Sequence, residues 1–338
     1  MSTHRRRLGS SLSSRLIAVL PLFVAGFLPQ HAFAADDETS TDPKPNSPPK
    51  DNFSGEEIIV TSDRGVPMVG GAAHEIDRET LERQGNDDIH KVLAGVPGVY
   101  VRTEDGFGLR PNIGMRGASS DRSAKITLLE DGIPLAPAPY AAPAAYYFPL
   151  TTRMYGVEVF KGPAAIAYGP QTIGGAINLL TRPVPDGWNG AVDAAYGSVG
   201  TAKLHGWGGV GGRWGGVLLE AAHLSSDGFK TLDSGGPTGF ERQDLMLKGK
   251  LLFETDKSKH ELELKLSYGR ERSNETYLGL TAADFVATPY RRYDASQLDV
   301  MQWQRGQAVA SWNWRSDSAL SVQTSAYGHL LARQWTKL

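Results

Sequence analysis

The chain has 338 residues and no cysteine. That absence excludes disulfide staples and any metal or redox centre built on thiolates. An excess of charge of one sign is missing too. Thirty-five Lys and Arg face 37 Asp and Glu, a net charge of −2, so no electrostatic footprint for nucleic acid is present. Beyond the N-terminus there is no apolar run of about 18 residues or more, so a membrane-spanning helix is not expected. Enzyme signatures are absent as well. Gly169-Pro-Gln-Thr-Ile-Gly-Gly175 lacks the Lys and Ser/Thr of a phosphate loop, and no Gly-x-Ser-x-Gly elbow occurs. His260-Glu-Leu-Glu-Leu is not the two-histidine zinc motif, and the eight histidines show no metal spacing. Neither a resident metal nor a cofactor is expected.

What is present begins with an export signal. Arg5, Arg6 and Arg7 precede an apolar stretch from Leu16 to Leu28, and Ala32-Phe33-Ala34 has the small-residue pattern of a cleavage site. Residues 1–34 therefore read as a cleaved secretory signal. A retained membrane anchor is the alternative, and Arg6-Arg7 lends weak support to a twin-arginine route. Residues 35–55 are rich in Asp, Ser, Thr and Pro and read as a disordered linker. They are too few for an independent domain. Residues 56–61 (Glu-Glu-Ile-Ile-Val-Thr) form a short strand-former. Taken alone they fit two readings: a segment that adds to the sheet edge of a partner, or the first strand of the next domain.

Residues 62–186 have the texture of a mixed α/β domain. Asp77 is placed to cap a helix, and a second short helix over 86–93 ends at Gly95 and Pro97. Strands are expected at 99–102, 125–129 and 157–160, with an Asp131-Gly132 turn after the second. From Gly190 the pattern changes to alternation. Leu262, Leu264, Leu266 and Tyr268 share one face of a strand, and Glu261, Glu263, Lys265 and Ser267 share the other. Leu245, Leu247, Leu251 and Phe253 alternate with Met246, Lys248, Lys250 and Glu254 in the same way.

About seven such strands are expected, near 190–197, 201–211, 214–225, 241–254, 259–273, 300–315 and 318–335. The alternation suits a membrane barrel that is apolar outside and faces a wet lumen inside. Periodicity alone fits a soluble sandwich as well. The connections favour the barrel. The breaks at 212–213, 255–258 and 316–317 are short and those at 226–240 and 274–299 are long, apart from a short first hairpin at Ser198-Val199-Gly200, and outer-membrane barrels sort short turns and long loops to opposite ends.

Several motifs occur in a distinctive order. Met115-Arg-Gly117 is followed by Glu130-Asp-Gly-Ile-Pro134, then Val157-Glu-Val-Phe-Lys-Gly-Pro163, Ala167-Tyr-Gly-Pro170 and Ile173-Gly-Gly-Ala-Ile-Asn-Leu-Leu-Thr181. With Glu57 to Thr61 before them, they resemble the plug domain of TonB-dependent outer-membrane receptors. The resemblance implies an α+β plug inside a transmembrane antiparallel barrel of 22 strands, of which residues 187–338 supply about the first seven. On that reading roughly 300 or more residues of barrel are missing, and the chain is a fragment or a truncated gene model.

The resemblance also implies roles. Glu57, Ile58, Ile59, Val60 and Thr61 become the segment that pairs with TonB. Arg116, Gly117, Asp131, Gly132, Glu158, Lys161, Gly162, Gly169, Gly174, Gly175 and Asn178 become plug-structural residues, with Arg116 and Glu158 as candidate ion-pair partners. Lys161 stands where many members have Arg, which keeps the charge and loses the bidentate fork. Gly108 to Gly117, Ala138-Pro-Tyr140 and Tyr168 to Gly175 look like the ferric citrate branch. An anionic iron chelate would suit arginine pairs, so Arg110, Tyr140, Arg291 and Arg292 are candidate ligand contacts. The implied activity is active import of a chelated nutrient, a ferric complex first, with cobalamin, haem, nickel or copper chelates and sugars as alternatives. A passive outer-membrane binding protein is a further reading. The implied partners are TonB with its inner-membrane complex, the iron chelate and outer-membrane lipid, with bacteriocins and phages as opportunistic users.

Overall fold

The computed structural model describes residues 72–317 and 320–338. The signal (1–34), the linker (35–55) and the segment 56–61, with Glu57, Ile58, Ile59, Val60 and Thr61, lie outside the described residues.

The first part carries seven strands and three short helices. The strands are β1 (Ala72–Ile76), β2 (Val99–Arg102), β3 (Asn112–Met115), β4 (Ile126–Glu130), β5 (Ile133–Pro134), β6 (Met154–Lys161) and β7 (Gly175–Thr181). The helices are α1 (Arg78–Gln84), α2 (Ile89–Leu93) and α3 (Pro143–Tyr146). Asp77 caps α1 by accepting from Thr80 N at 2.9 Å, and Gly85 closes it in a left-handed conformation. Helix α2 begins later than its sequence suggests, because Asp88 takes the cap position and accepts from His90 N. One mixed sheet runs β1-β6-β7-β4-β5, and β2 pairs with β3 beside it. Strands β4 and β7 are parallel neighbours, buried along their whole length. A strand covered on both faces needs no alternation, so 175–181 reads in sequence as an apolar run rather than as a strand.

The second part is one antiparallel sheet of seven long strands. They are β8 (Gly187–Tyr196), β9 (Ala202–Gly212), β10 (Gly215–Ser226), β12 (Phe240–Thr255), β13 (Ser258–Ser273), β15 (Val300–Ser316) and β16 (Ser321–Thr336), each paired with the next in sequence. The short strands β11 (Thr231–Leu232) and β14 (Arg291–Arg292) pair with each other, one from each long loop. The loop 274–299 also holds a helix, α4 (Ala282–Ala287). Alternation and loop sorting emerge as the sequence indicates.

One expectation fails. The inward face of this wall does not meet water where the α/β domain covers it. Lys265, Lys248, Arg242 and Glu271 are each less than 5% exposed. The apolar core is continuous across the junction, since Met301 and Trp303 of β15 join Ile113, Leu128, Tyr147 and Val157 in one cluster. The polar half of the alternating pattern therefore faces a packed domain rather than a wet lumen.

Candidate functional site

The junction is organised around a two-residue hairpin. Glu130 pairs with Ile133, so Asp131 and Gly132 form the whole loop between β4 and β5. Both have positive φ, 50° and 76°, the geometry that an Asp-Gly pair supplies at least cost. The turn pushes two carboxylates outward to the wall. Lys265 Nζ donates to Asp131 Oδ2 at 2.6 Å and to Glu130 Oε1 at 3.2 Å. Lys248 Nζ stands 3.8 Å from Asp131. Behind the turn, Asp131 accepts from Thr181 N and Oγ1. Gly132 N donates to Asn178 Oδ1, and Asn178 Nδ2 donates to Glu158 Oε2. Asp131, Gly132, Asn178 and Glu158, separate motifs in sequence, are one hydrogen-bonded chain in space.

From Glu130 the charges continue toward the long-loop end, alternating in sign and passing from the domain to the wall and back. Arg153 Nη2 donates to Glu130 Oε2 at 2.9 Å, and Arg153 Nε donates to Asp244 Oδ2 of the wall at 3.2 Å. Arg242 lies 3.4 Å from Asp244 and 3.6 Å from Glu271. Glu271 accepts from Arg110, whose other nitrogen is 3.7 Å from Glu275. Aromatic faces line the path: Arg305 sits 4.1 Å over the Tyr147 ring, and Tyr147 meets Trp303 edge-on.

Burial alone would raise the Glu130 carboxyl, but Arg153 and Lys265 overcome it and hold the group at about 2. Asp131 is held far below the usual carboxylate range against its own desolvation, by Lys248 and Lys265. Glu275 goes the other way. Desolvation beneath the loop, opposed by Arg110 and aided by Glu271 and Asp105, pushes it up to about 7.

The other sequence candidates fall in three places. Arg116 and Gly117 form a tight turn after β3, with Arg116 N donating to Gly98 O. The Arg116 guanidinium lies against Gly162, where a Cβ would collide with it. Lys161 Nζ donates to Pro97 O at 2.8 Å; desolvation lowers its pKa, with Arg116 adding to the effect. Gly174 and Gly175 bring β7 against Met115 and Phe160, and a Cβ at Gly175 would meet the Phe160 carbonyl. Gly169 ends the turn that starts at Gly162.

At the long-loop end, Arg110 is 6% exposed and committed to wall carboxylates. Tyr140 is exposed. Arg291 clamps the two long loops together, donating to Asp233 at 2.7 and 3.0 Å and to Asp284 at 3.0 Å. Arg292 is buried and donates to the Ser296, Asp299 and Asn274 carbonyls.

Glu130, Arg153, Asp244, Arg242 and Glu271 escape sequence reasoning as site residues. The available signal was the charge at Arg242, Asp244, Lys248, Lys265 and Glu271, inward positions of β12 and β13 where alternation alone asks only for polarity.

A small α/β domain anchored by buried ion pairs to the inward face of an antiparallel wall is the architecture of a plugged barrel. Residues 68–176 match the family model described as TonB-dependent Receptor Plug Domain. A 152-residue stretch is 28% identical to the vitamin B12 transporter BtuB of Vibrio cholerae, covering 44% of this chain and 24% of that protein. A 197-residue stretch is 27% identical to the probable TonB-dependent siderophore receptor PirA of Acinetobacter baumannii, covering 54% and 26%. Among solved structures, the unliganded ferric citrate transporter FecA superposes with a TM-score of 0.64 at 23% identity, covering 78% of this chain and 40% of that one. The fold is that of a TonB-dependent receptor plug set against the beginning of its barrel. The chain spans about a quarter of the length of the curated relatives it matches. These relatives are named as transporters and receptors, none as an enzyme.

Proposed function

We propose that the chain is part of an outer-membrane receptor that imports a chelated nutrient, a ferric complex such as ferric citrate first among them, using energy delivered by TonB to residues 57–61. The observation that carries this is the plug itself, seated on the wall through a buried alternating charge network. Such a seal must be rearranged for cargo to pass, and an outer membrane with open porins sustains no ion gradient to do it. Energy then comes from the inner membrane, where one charge crossing 100 mV yields about 2.3 kcal/mol.

The sheet order favours a pull from the N-terminal side. Among the described residues, strand β1 is at the edge of the sheet, pairs with β6 alone and lies close in sequence to Thr61. The anchored β4–β5 hairpin is at the opposite edge. A pull on 57–61 peels β1 first and loads the hairpin last. Within the plug, Arg116 and Glu158 are proposed to add an internal lock. Tyr140 and the loop bearing Arg291 and Arg292 are proposed to meet ligand at the outward mouth.

The test is uptake of radiolabelled ferric citrate by cells carrying the full-length gene, with and without residues 57–61. Uptake that vanishes on deletion while surface binding persists supports energised import of that chelate. Binding and uptake unaffected by the deletion sink the coupling. Labelled cyanocobalamin in the same cells tests the second reading, which the similarity to vitamin B12 transporters favours.

A further inference from the structure

The plug is held to the described wall in two ways. Strands β12 and β13 meet it through ion pairs: Lys265 with Glu130 and Asp131, Asp244 with Arg153, and Glu271 with Arg110. Strands β15 and β16 meet it through rings. The Arg305 guanidinium lies over Tyr147, and Arg333 lies 4.4 Å over the ring of Tyr146, the last residue of α3. Neither strand contains an acidic residue. Contacts of a cation with a ring are weaker than a buried ion pair, whose rupture leaves an uncompensated charge. A plug displaced from this wall therefore parts first from β15 and β16.

The face that this parting uncovers is made of hydrogen-bond donors. Arg305 Nη2 is 3.1 Å from His329 Nδ1. A guanidinium only donates, so Nδ1 accepts and the ring hydrogen sits on Nε2. That Nε2, Trp303 Nε1, Arg305 Nε, Gln307 Nε2, Arg333 Nε and Trp335 Nε1 are all buried with no partner among the described residues. Gln307 uses its oxygen to accept from Ser267 Oγ. Glu130 reaches Arg305 electrostatically, but Arg153 and Lys265 already engage that carboxylate. A buried donor without an acceptor carries a desolvation penalty, which an oxygen-rich anion removes. Along β16 the inward positions alternate between cation and apolar group, His329, Leu331, Arg333 and Trp335, and Lys337 follows with its Nζ over Tyr277. Toward the short-turn end the next inward positions, Tyr327 and Ser325, are neutral, and Ser325 Oγ pairs with Ser311 Oγ at 3.0 Å. From Trp335 to Ser325 the strand advances about 33 Å.

We infer that the seam between β15–β16 and Tyr146–Tyr147 is the passage by which an anionic cargo crosses the lumen, with Arg333, then Arg305 and His329, as successive binding stations. This rests on the import reading above and adds to it a route and a charge class. An anion finds guanidinium groups, which take carboxylate oxygens bidentately, and amide and imidazole donors beside them. No carboxylate of either strand repels it. Arg333 and His329 are about 13 Å apart along β16, so the anion is handed from one station to the next rather than caged by both. A cationic cargo meets like charge on the same path. The β12–β13 side offers no equivalent, because Lys265, Arg242 and Arg153 are already engaged by carboxylates.

The test uses full-length receptors carrying a single introduced cysteine, in cells supplied with ferric citrate. Ser325→Cys reports on the seam, and Ala222→Cys, on the β10 face packed under the plug, is the control. Each is treated with an anionic (sulfonatoethyl) and a cationic (trimethylammonioethyl) methanethiosulfonate, with rates normalised to free cysteine. During uptake Ser325→Cys is expected to react about tenfold faster with the anionic reagent than with the cationic one, to slow when residues 57–61 are deleted, and to outpace Ala222→Cys. Arg305→Gln with His329→Gln should erase the preference and lower the maximal rate of ferric citrate uptake by about tenfold, the equivalent of losing one charge-assisted hydrogen bond. Arg305→Lys with His329 intact should restore both. Heat-modified gel mobility checks that each barrel is folded. Equal rates with the two reagents, as in a seam that only takes up water, a rate unchanged by the deletion, or undiminished uptake by the Gln variant overturns the passage while leaving the import reading intact. Wild-type cells without ferric citrate uptake that depends on residues 57–61 overturn both.

Discussion

At the scale of single residues, the decisive feature is that a handful of charges are dry. Lys265 touches both carboxylates of the β4–β5 hairpin and is 1% exposed. Its substitution by Met should cost the full-length protein about 3 kcal/mol, because two buried anions lose a partner. Lys248 and Arg153 remain to limit the damage. Denaturant unfolding followed at the plug measures it. Arg78→Ala is the control, since its pair with Glu82 is exposed and should contribute under about 0.5 kcal/mol.

Protonation supplies a second residue-scale prediction. Glu130 is held at about 2 against an ordinary 4.5, so the stability it lends is complete above pH 4.5 and lost as pH falls to about 2. Glu275 has the opposite sign. With a pKa raised to about 7, its contribution is complete below pH 4.5 and lost as pH rises through 7. Glu275→Gln should flatten the pH dependence of amide exchange in the 274–299 loop between pH 4.5 and 7. If the loop loosens identically in both proteins as pH rises, the assignment fails.

At the scale of elements, the long loops are one unit rather than two. Strands β11 and β14 pair, and Arg291 bridges Asp233 and Asp284 across them. Aromatic contacts carry the unit down to the plug, where Phe229 packs on Phe107 of the plug and on Tyr290. Arg291→Ala should therefore free both loops together. Limited proteolysis within 226–240 and within 274–299 should quicken by a similar few-fold factor, in keeping with two partly exposed ion pairs. Cleavage that quickens in only one loop would contradict the clamp. The same residue shows how little sequence says about a loop arginine. In Tyr290-Arg-Arg-Tyr293, Arg291 is engaged by aspartates and Arg292 by backbone carbonyls, partners that the local pattern does not announce.

At the scale of the whole molecule, the two faces of the wall have different tasks. The inward face seals against a plug by ion pairs and the Met301–Trp303 contact. The outward face presents leucines and aromatic groups, including the stacked Phe253, His260 and Trp312 at the short-turn end. Deleting 57–61 should leave this assembly, its thermal midpoint and surface ligand binding unchanged while abolishing uptake. A lowered midpoint would mean that the segment is part of the plug fold instead of a handle for it.

The sequence by itself determined the long strands, their two faces and the sorting of turns from loops, because period-two patterning and short turns are local properties. It determined the Asp131-Gly132 hairpin for the same reason, since two adjacent residues specify that turn. It did not reveal β7 as a strand, because full burial on both faces removes the alternation and, unlike the equally buried β4, β7 runs into no Asp-Gly turn that marks its end. Nor did it reveal which charges meet. Lys265 and Asp131 are 134 positions apart, and Arg110 and Glu271 are 161 apart. Alternation says that a charge points inward, but not whether water or a carboxylate waits there. Only the tertiary structure decided that, by filling the lumen with a domain whose own charges were the partners.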